Sequence, residues 1–195
     1  TTEIYTLSLH DALPISPHRY DESGWLCSLV EPYAPESAYS VLSPQARAQI
    51  DIELVSRELV RIAQRTVSLR VPKRYLRGAS PTVDAAELVV ARRTGETTTI
   101  ALRSFPRDRA SSVLAAAREA ATNPTSSGME ALLPRTERVL KLRTMALEGH
   151  DPCAVPALAA ALAQLCLGPV LPPERDRFLG PASLRSMLAV LGAGD

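Results

Sequence analysis

Apolar residues recur along this chain with two periods, and the switch between them marks out its elements. Ile52, Val55, Leu59 and Ile62 follow at intervals of three and four, with Ala48 and Ala63 beside them, which is the spacing of one helix face. Ser43-Pro44 supplies a cap residue followed by proline at a first helical position, so the pattern predicts a helix over 44–65. Ile50 and Leu54 point away from the stripe and give that helix a second side for contact.

Val67, Leu69 and Val71 then alternate with Ser68 and Arg70 up to Pro72, the two-residue period of a strand. Residues 87–93 and 97–103, rich in β-branched side chains and joined through Thr94-Gly95-Glu96, read as a β-hairpin. Beyond it the pattern is helical. Helices are expected over 107–122, stopped by Asn123-Pro124, and over 134–148, stopped by Gly149. A third, capped by Asp151-Pro152, reaches Leu167, and shorter ones follow over 173–179 and 181–191. Residues 17–42, interrupted by Pro17, Pro32 and Pro35, read as irregular apart from a short strand within 25–30. This order favours an α+β fold with a small antiparallel sheet, helices on one face of it and a helical C-terminal third from about residue 107. One domain over 43–195 is the expected organisation.

Two stretches resemble something known. Residues 1–16 resemble one reading frame of a short-read sequencing adapter, with no departure from Thr1 to Ile15. They are therefore expected to be non-native and are set aside from fold reasoning, together with Ser8, His10 and Asp11. A natural N-terminus upstream of Pro17 is expected to be missing. Further on, Gly149-His150-Asp151-Pro152-Cys153-Ala154-Val155-Pro156-Ala157-Leu158 and the alanines up to Leu162 resemble the second-helix pattern of bacterial HEAT-type repeats. The pattern occurs once, and a solenoid needs several stacked repeats. No family is assigned on it.

Composition narrows the function classes. Lys73 and Lys141 are the only lysines among 22 basic residues, and Asn123 is the only asparagine. With the abundant Ala and Pro this suggests a high-GC bacterial genome and makes part of the arginine excess compositional. Cys27, Cys153 and Cys166 form no disulfide framework, so a reducing cytoplasm is the expected compartment. Residues 152–173 carry no charge, but the clean apolar run 155–167 is shorter than the ~20 residues a bilayer requires, so it reads as a buried helix and no membrane partner is expected.

The candidate chemistry is thin. No phosphate-binding glycine loop and no zinc spacing of Cys and His is present, and neither cofactor nor metal is expected. Cys153, in the first turn of a capped helix beside His150, sits where the dipole lowers a thiol pKa, and helical phase turns it off the core face. Cys166 falls on that face. Charge is uneven: Arg57, Arg61 and Arg65 repeat along one predicted helix face, and Arg70, Lys73, Arg74 and Arg77 follow with Tyr75 among them. Such a stripe can bind phosphates, although aromatic residues for base stacking are few. The leading expectation is a non-enzymatic protein–protein interaction or scaffold domain, with a protein partner or a homo-oligomer. Polyanion or nucleic-acid binding through the basic middle third is the alternative, and a thiol-dependent enzyme using Cys153 a third.

Overall fold

The computed structural model describes residues 18–20, 26–28, 38–46, 50–70, 85–126, 128–145 and 151–191. Two short strands, β1 (His18–Tyr20) and β2 (Leu26–Ser28), pair antiparallel with each other. The main architecture is a six-stranded antiparallel sheet packed with helices, an α+β fold. Its strands are β3 (Tyr39–Ser43), β4 (Arg65–Leu69), β5 (Ala85–Arg92), β6 (Thr97–Pro106), β7 (Arg138–Thr144) and β8 (Val170–Leu171), in the order β4-β5-β6-β7-β3-β8. The helices are α1 (Ile52–Ala63), α2 (Ser111–Ala121), α3 (Ala154–Cys166) and α4 (Pro181–Val190).

The expected hairpin is β5–β6, with Val90 opposite Thr98 and Gly95 at φ +91° in its turn. That left-handed conformation is one glycine adopts without the penalty of a β-carbon. Helices cover both faces of the sheet rather than one. Strand side chains alternate between faces, so Ile100, Leu102, Leu140 and Leu142 meet α1, α3 and α4, while Phe105, Val139, Leu42 and Leu171 meet α2.

Helix α3 is buried on all sides: Ala154, Ala157, Leu158, Ala160 and Ala161 have no exposed surface. That accounts for the uncharged run 152–173, because a helix with no solvent face has no use for charge. Pro156 lies in its first turn, where an N–H has no intrahelical acceptor to lose. After the helix, a β-carbon on Gly168 would overlap the carbonyl oxygen of Leu42, whose N–H donates to Pro169 O at 2.9 Å. The single HEAT-like pattern thus belongs to a helix packed on a sheet.

Several expectations need correction. Helix α1 begins at Ile52, because Asp51 Oδ1 accepts from the N–H groups of Glu53 and Leu54, at 2.9 and 3.1 Å. Ser43 closes β3, and its hydroxyl accepts from Gln45 N–H in a local turn that imitates a helix start. The helix ends before Gln64, held left-handed at φ 52°, so Arg65 enters a strand. The helix expected over 107–122 opens as a 3-10 turn, Arg107–Arg109, before α2. In place of a helix over 134–148 stand a 3-10 turn, Glu130–Arg135, and then β7, which pairs with both β6 and β3. Residues 173–179 form turns and a bridge, Val170 to Leu179, not a helix. Strand β3 lies inside the sheet although residues 17–42 read as irregular. The C-terminal third is therefore mixed.

Candidate functional site

The sequence-predicted basic stripe does not form one face. Arg57 is exposed on α1, and Arg61 donates to Glu58 at 2.6 Å. Arg65 is only 2% exposed and lies under the fold, its Nε 2.6 Å from Asp151 Oδ2 and its Nη1 donating to Ala63 O at 2.7 Å. Arg70 is exposed beyond the end of β4, 3.8 Å from Glu87. Lys73, Arg74 and Arg77, and the Tyr75 among them, lie outside the described residues, as do His150 and residues 1–16.

Cys153 is buried, 3% exposed, and not turned to solvent. The helix starts two residues later than the cap pattern suggests, which leaves Cys153 at its N-cap with Sγ directed at Leu191 O, 3.7 Å away. Burial, and after it the neighbouring Asp151 carboxylate, push the thiol up, opposite to the expected activation. Asp151 does receive Cys153 N–H at 3.0 Å as the cap pattern implies, but its other oxygen serves Arg65. Cys166 is buried, as expected from its phase, and burial raises its thiol too.

The sheet brings together a different set of cations, on the face that α2 partly covers. Register places Arg103 of β6 directly across from Lys141 of β7, and Lys141 across from Ser40 of β3. The three side chains stand side by side, about 4.8 Å apart from strand to strand. Exposure is 2% for Ser40, 1% for Arg103 and 0% for Lys141. Phe105, two residues along β6, puts its ring 5.8 Å from Lys141 Nζ and closes one side with an apolar wall that favours a cation. Arg143, two residues along β7, is half-buried on the same face.

A fourth cation arrives from the turn after β8. Arg175 holds φ +58°, a conformation that costs a non-glycine residue on the order of 1 kcal/mol or more. Its Nη2 is buried and makes no hydrogen bond among the described residues. Lys141 is pushed down to about 8 from 10.5, by burial first and then by the charge of Arg175. Arg103, Lys141 and Arg143 each have further interactions within the chain. Charge is stable in a protein interior only where it is paired or hydrogen-bonded.

By contrast, the hollow between β6 and α2 mixes Arg107, Arg118, Asp108 and Glu137, and its charges balance. There Arg107 Nη1 donates to the carbonyl oxygens of Leu133, Pro134 and Thr136 at 3.0, 2.9 and 2.8 Å, an architectural role. Among the described residues no cluster of His, Cys, Asp and Glu has the makings of a metal site, and no helix is long and apolar enough to cross a membrane.

Sequence reasoning passed over Arg103 and Lys141. One signal was present: Lys141 is one of two lysines in an arginine-rich chain and stands in Leu140-Lys141-Leu142-Arg143, a short run in which basic and apolar residues alternate. Compared with protein-family profiles, with curated proteins and with solved structures, the chain matches none.

Proposed function

We propose that this chain is a non-enzymatic binding protein that recognises an anionic group on its partner, received by Lys141, Arg103 and Arg175. One observation carries the reading: Arg103 and Lys141 are paired across adjacent strands, fully buried, with a third cation from a strained turn acting on Lys141. The reading keeps the anion-binding alternative and moves it from the surface arginines into the sheet. The uncombined, buried thiols of Cys153 and Cys166 are compatible with a reducing, cytoplasmic setting in a bacterium.

The test is thermal unfolding of the full chain with low-millimolar phosphate or sulfate against chloride at equal ionic strength, below the range of general salting-out. A bound anion stabilises by mass action, about 2.7 kcal/mol at a hundredfold excess over Kd. Saturable stabilisation that disappears in Lys141→Gln supports the reading, and equal stability in both salts contradicts it. Binding of generic DNA that survives Lys141→Gln would instead assign function to Arg57, Arg61 and Arg70 on the surface.

A second observation favours a direct protein contact. Leu54 and Val60 stay 40% and 47% exposed on α1, flanking Arg57, while Val55 and Leu59 fill the core. Sedimentation of the wild type against Leu54→Asp/Val60→Asp tests whether a second copy covers them; a concentration-dependent dimer lost in the variant is the supporting result, and identical monomers remove it.

A further inference from the structure

A groove runs beside α2, lined by residues other than the buried row of cations. Its first part, about 540 Å³ between β6 and α2, falls within the ~300–1,000 Å³ of small-molecule sites. Its second part, about 270 Å³, continues between α2 and the 3-10 turn Glu130–Arg135 and shares Arg107, Leu114 and Arg118 with the first. Ser111, Leu114 and Arg118, spaced by three and four, present one stripe of α2 along the groove.

Unlike charges are separated along that stripe. Asp108 and Glu137 line only the first part, and Arg107 N–H donates to Glu137 O, which places both acids near the start of α2. Arg118 lies two turns further on, about 10 Å along the helix axis. Among the described residues none of Asp108, Glu137 and Arg118 enters an ion pair. Asp108 offsets the positive end of the helix, and Glu137 leaves that end of the groove negative. Arg107 turns its guanidinium to the carbonyl oxygens of Leu133, Pro134 and Thr136, so its charge adds to that of Arg118. Leu114, 6% exposed, forms an apolar floor between the two ends. The second part adds Leu133 and Pro134 as an apolar wall, with the exposed Glu130 beside them outweighed by two guanidinium groups.

We infer that this groove takes a short peptide with free ends. Its ammonium lies beside Asp108 and Glu137, its carboxylate beside Arg118, and an apolar C-terminal side chain against Leu133 and Pro134. An extended peptide advances ~3.3–3.6 Å per residue, so two or three residues match the ~10 Å between the charged ends. Ser111 supplies a hydroxyl that both donates and accepts, as a peptide group requires. A simple anion satisfies one end only. The inference goes beyond the anion reading, shares no residue with it and does not depend on it.

Titration calorimetry on the full chain tests it with alanyl-leucine, its N-acetyl form, its C-terminal amide and alanyl-glutamate as probes. The free alanyl-leucine is expected to bind at least about tenfold more tightly than each of the others, about 1.4 kcal/mol. Arg118→Gln, at an exposed position of α2, is expected to fold with an unchanged melting temperature. It should reduce alanyl-leucine to the affinity of its amide and leave the affinity for the amide itself as it was. Equal affinity for the acetylated or the amidated dipeptide overturns the assignment of that end, and equal affinity for alanyl-glutamate overturns the apolar contact. No binding of any probe, or alanyl-leucine binding unchanged in Arg118→Gln, overturns the site. None of these outcomes alters a stabilisation by phosphate that depends on Lys141, so the two readings fail separately.

Discussion

Arg65 Nε lies 2.6 Å from Asp151 Oδ2, with 2% and 5% of the two side chains exposed, and the pair fastens strand β4 to the start of α3. The junction is tightened by Asp151 N–H, which donates to Thr98 Oγ1 at 2.9 Å on β6. A residue that reads in sequence as the end of a basic helix face is thus an internal tie between the sheet and its most buried helix.

Breaking that tie from one side strands a buried charge. Arg65→Met or Asp151→Asn is expected to cost about 3–5 kcal/mol in urea unfolding, and Arg65→Met/Asp151→Leu much less. A single substitution costing under about 1 kcal/mol would show the pair to be solvated. Burial tends to raise the Asp151 carboxyl, but the hydrogen bonds from Arg65 and Cys153 N–H, and the charges of Arg65 and Arg92, hold it below its usual value. A lowered folded pKa means that the stabilisation is present above the unfolded value, about 3.9, and lost as pH falls through the folded one. The advantage of wild type over Asp151→Asn should therefore shrink below about pH 4; an advantage flat from pH 6 to 2 would contradict this.

The parts of the fold legible in sequence are those with local instructions. Gly95 and its flanking β-branched residues specify β5–β6, and Pro181 at a helix start specifies α4. Strands β3 and β7 were illegible because helices cover both faces of the sheet. Val41 and Leu42, and again Val139 and Leu140, are adjacent apolar residues that enter opposite cores, so the two-residue period disappears. The cations were hidden for a related reason. Arg103 and Lys141 meet only through strand register, which no local pattern of either strand states.

In the native fold the thiols of Cys153 and Cys166 should be nearly inert. Cys153 and Cys166 are 3% and 6% exposed and both thiols are raised, so neutral-pH alkylation of either should require unfolding. Mass spectrometry of the labelled native chain checks this. Rapid modification of Cys153 alone would return it to the surface position that helical phase suggests.

Gly168 has no room for a side chain. Gly168→Ala drives a methyl group into the Leu42 carbonyl between α3 and β3, and is expected to cost roughly 3 kcal/mol, the upper end for overpacking. A neutral effect on the denaturation midpoint would show that the α3–β8 connection shifts freely.

Without bound anion, Lys141 should make the protein more stable in mild base. Its value of about 8 lies below the 10.5 of an unfolded lysine, so between them the unfolded chain holds more protons. Stability gained from this group rises with pH through that window. Unfolding free energies of wild type measured relative to Lys141→Met should climb from about pH 8 to 10; a constant difference would mean that the ammonium is not destabilised in the fold.

The most direct measurement uses the scarcity of lysine. Chain labelled with 13C at lysine Cε gives signals from Lys73 and Lys141 alone, assigned by Lys141→Arg. The Lys141 signal is expected to titrate near 8 in chloride and to move upward, toward the ordinary lysine range, once phosphate saturates the site. A Lys141 signal that titrates near 10.5 in chloride, or that ignores phosphate, would contradict an anion site in the sheet.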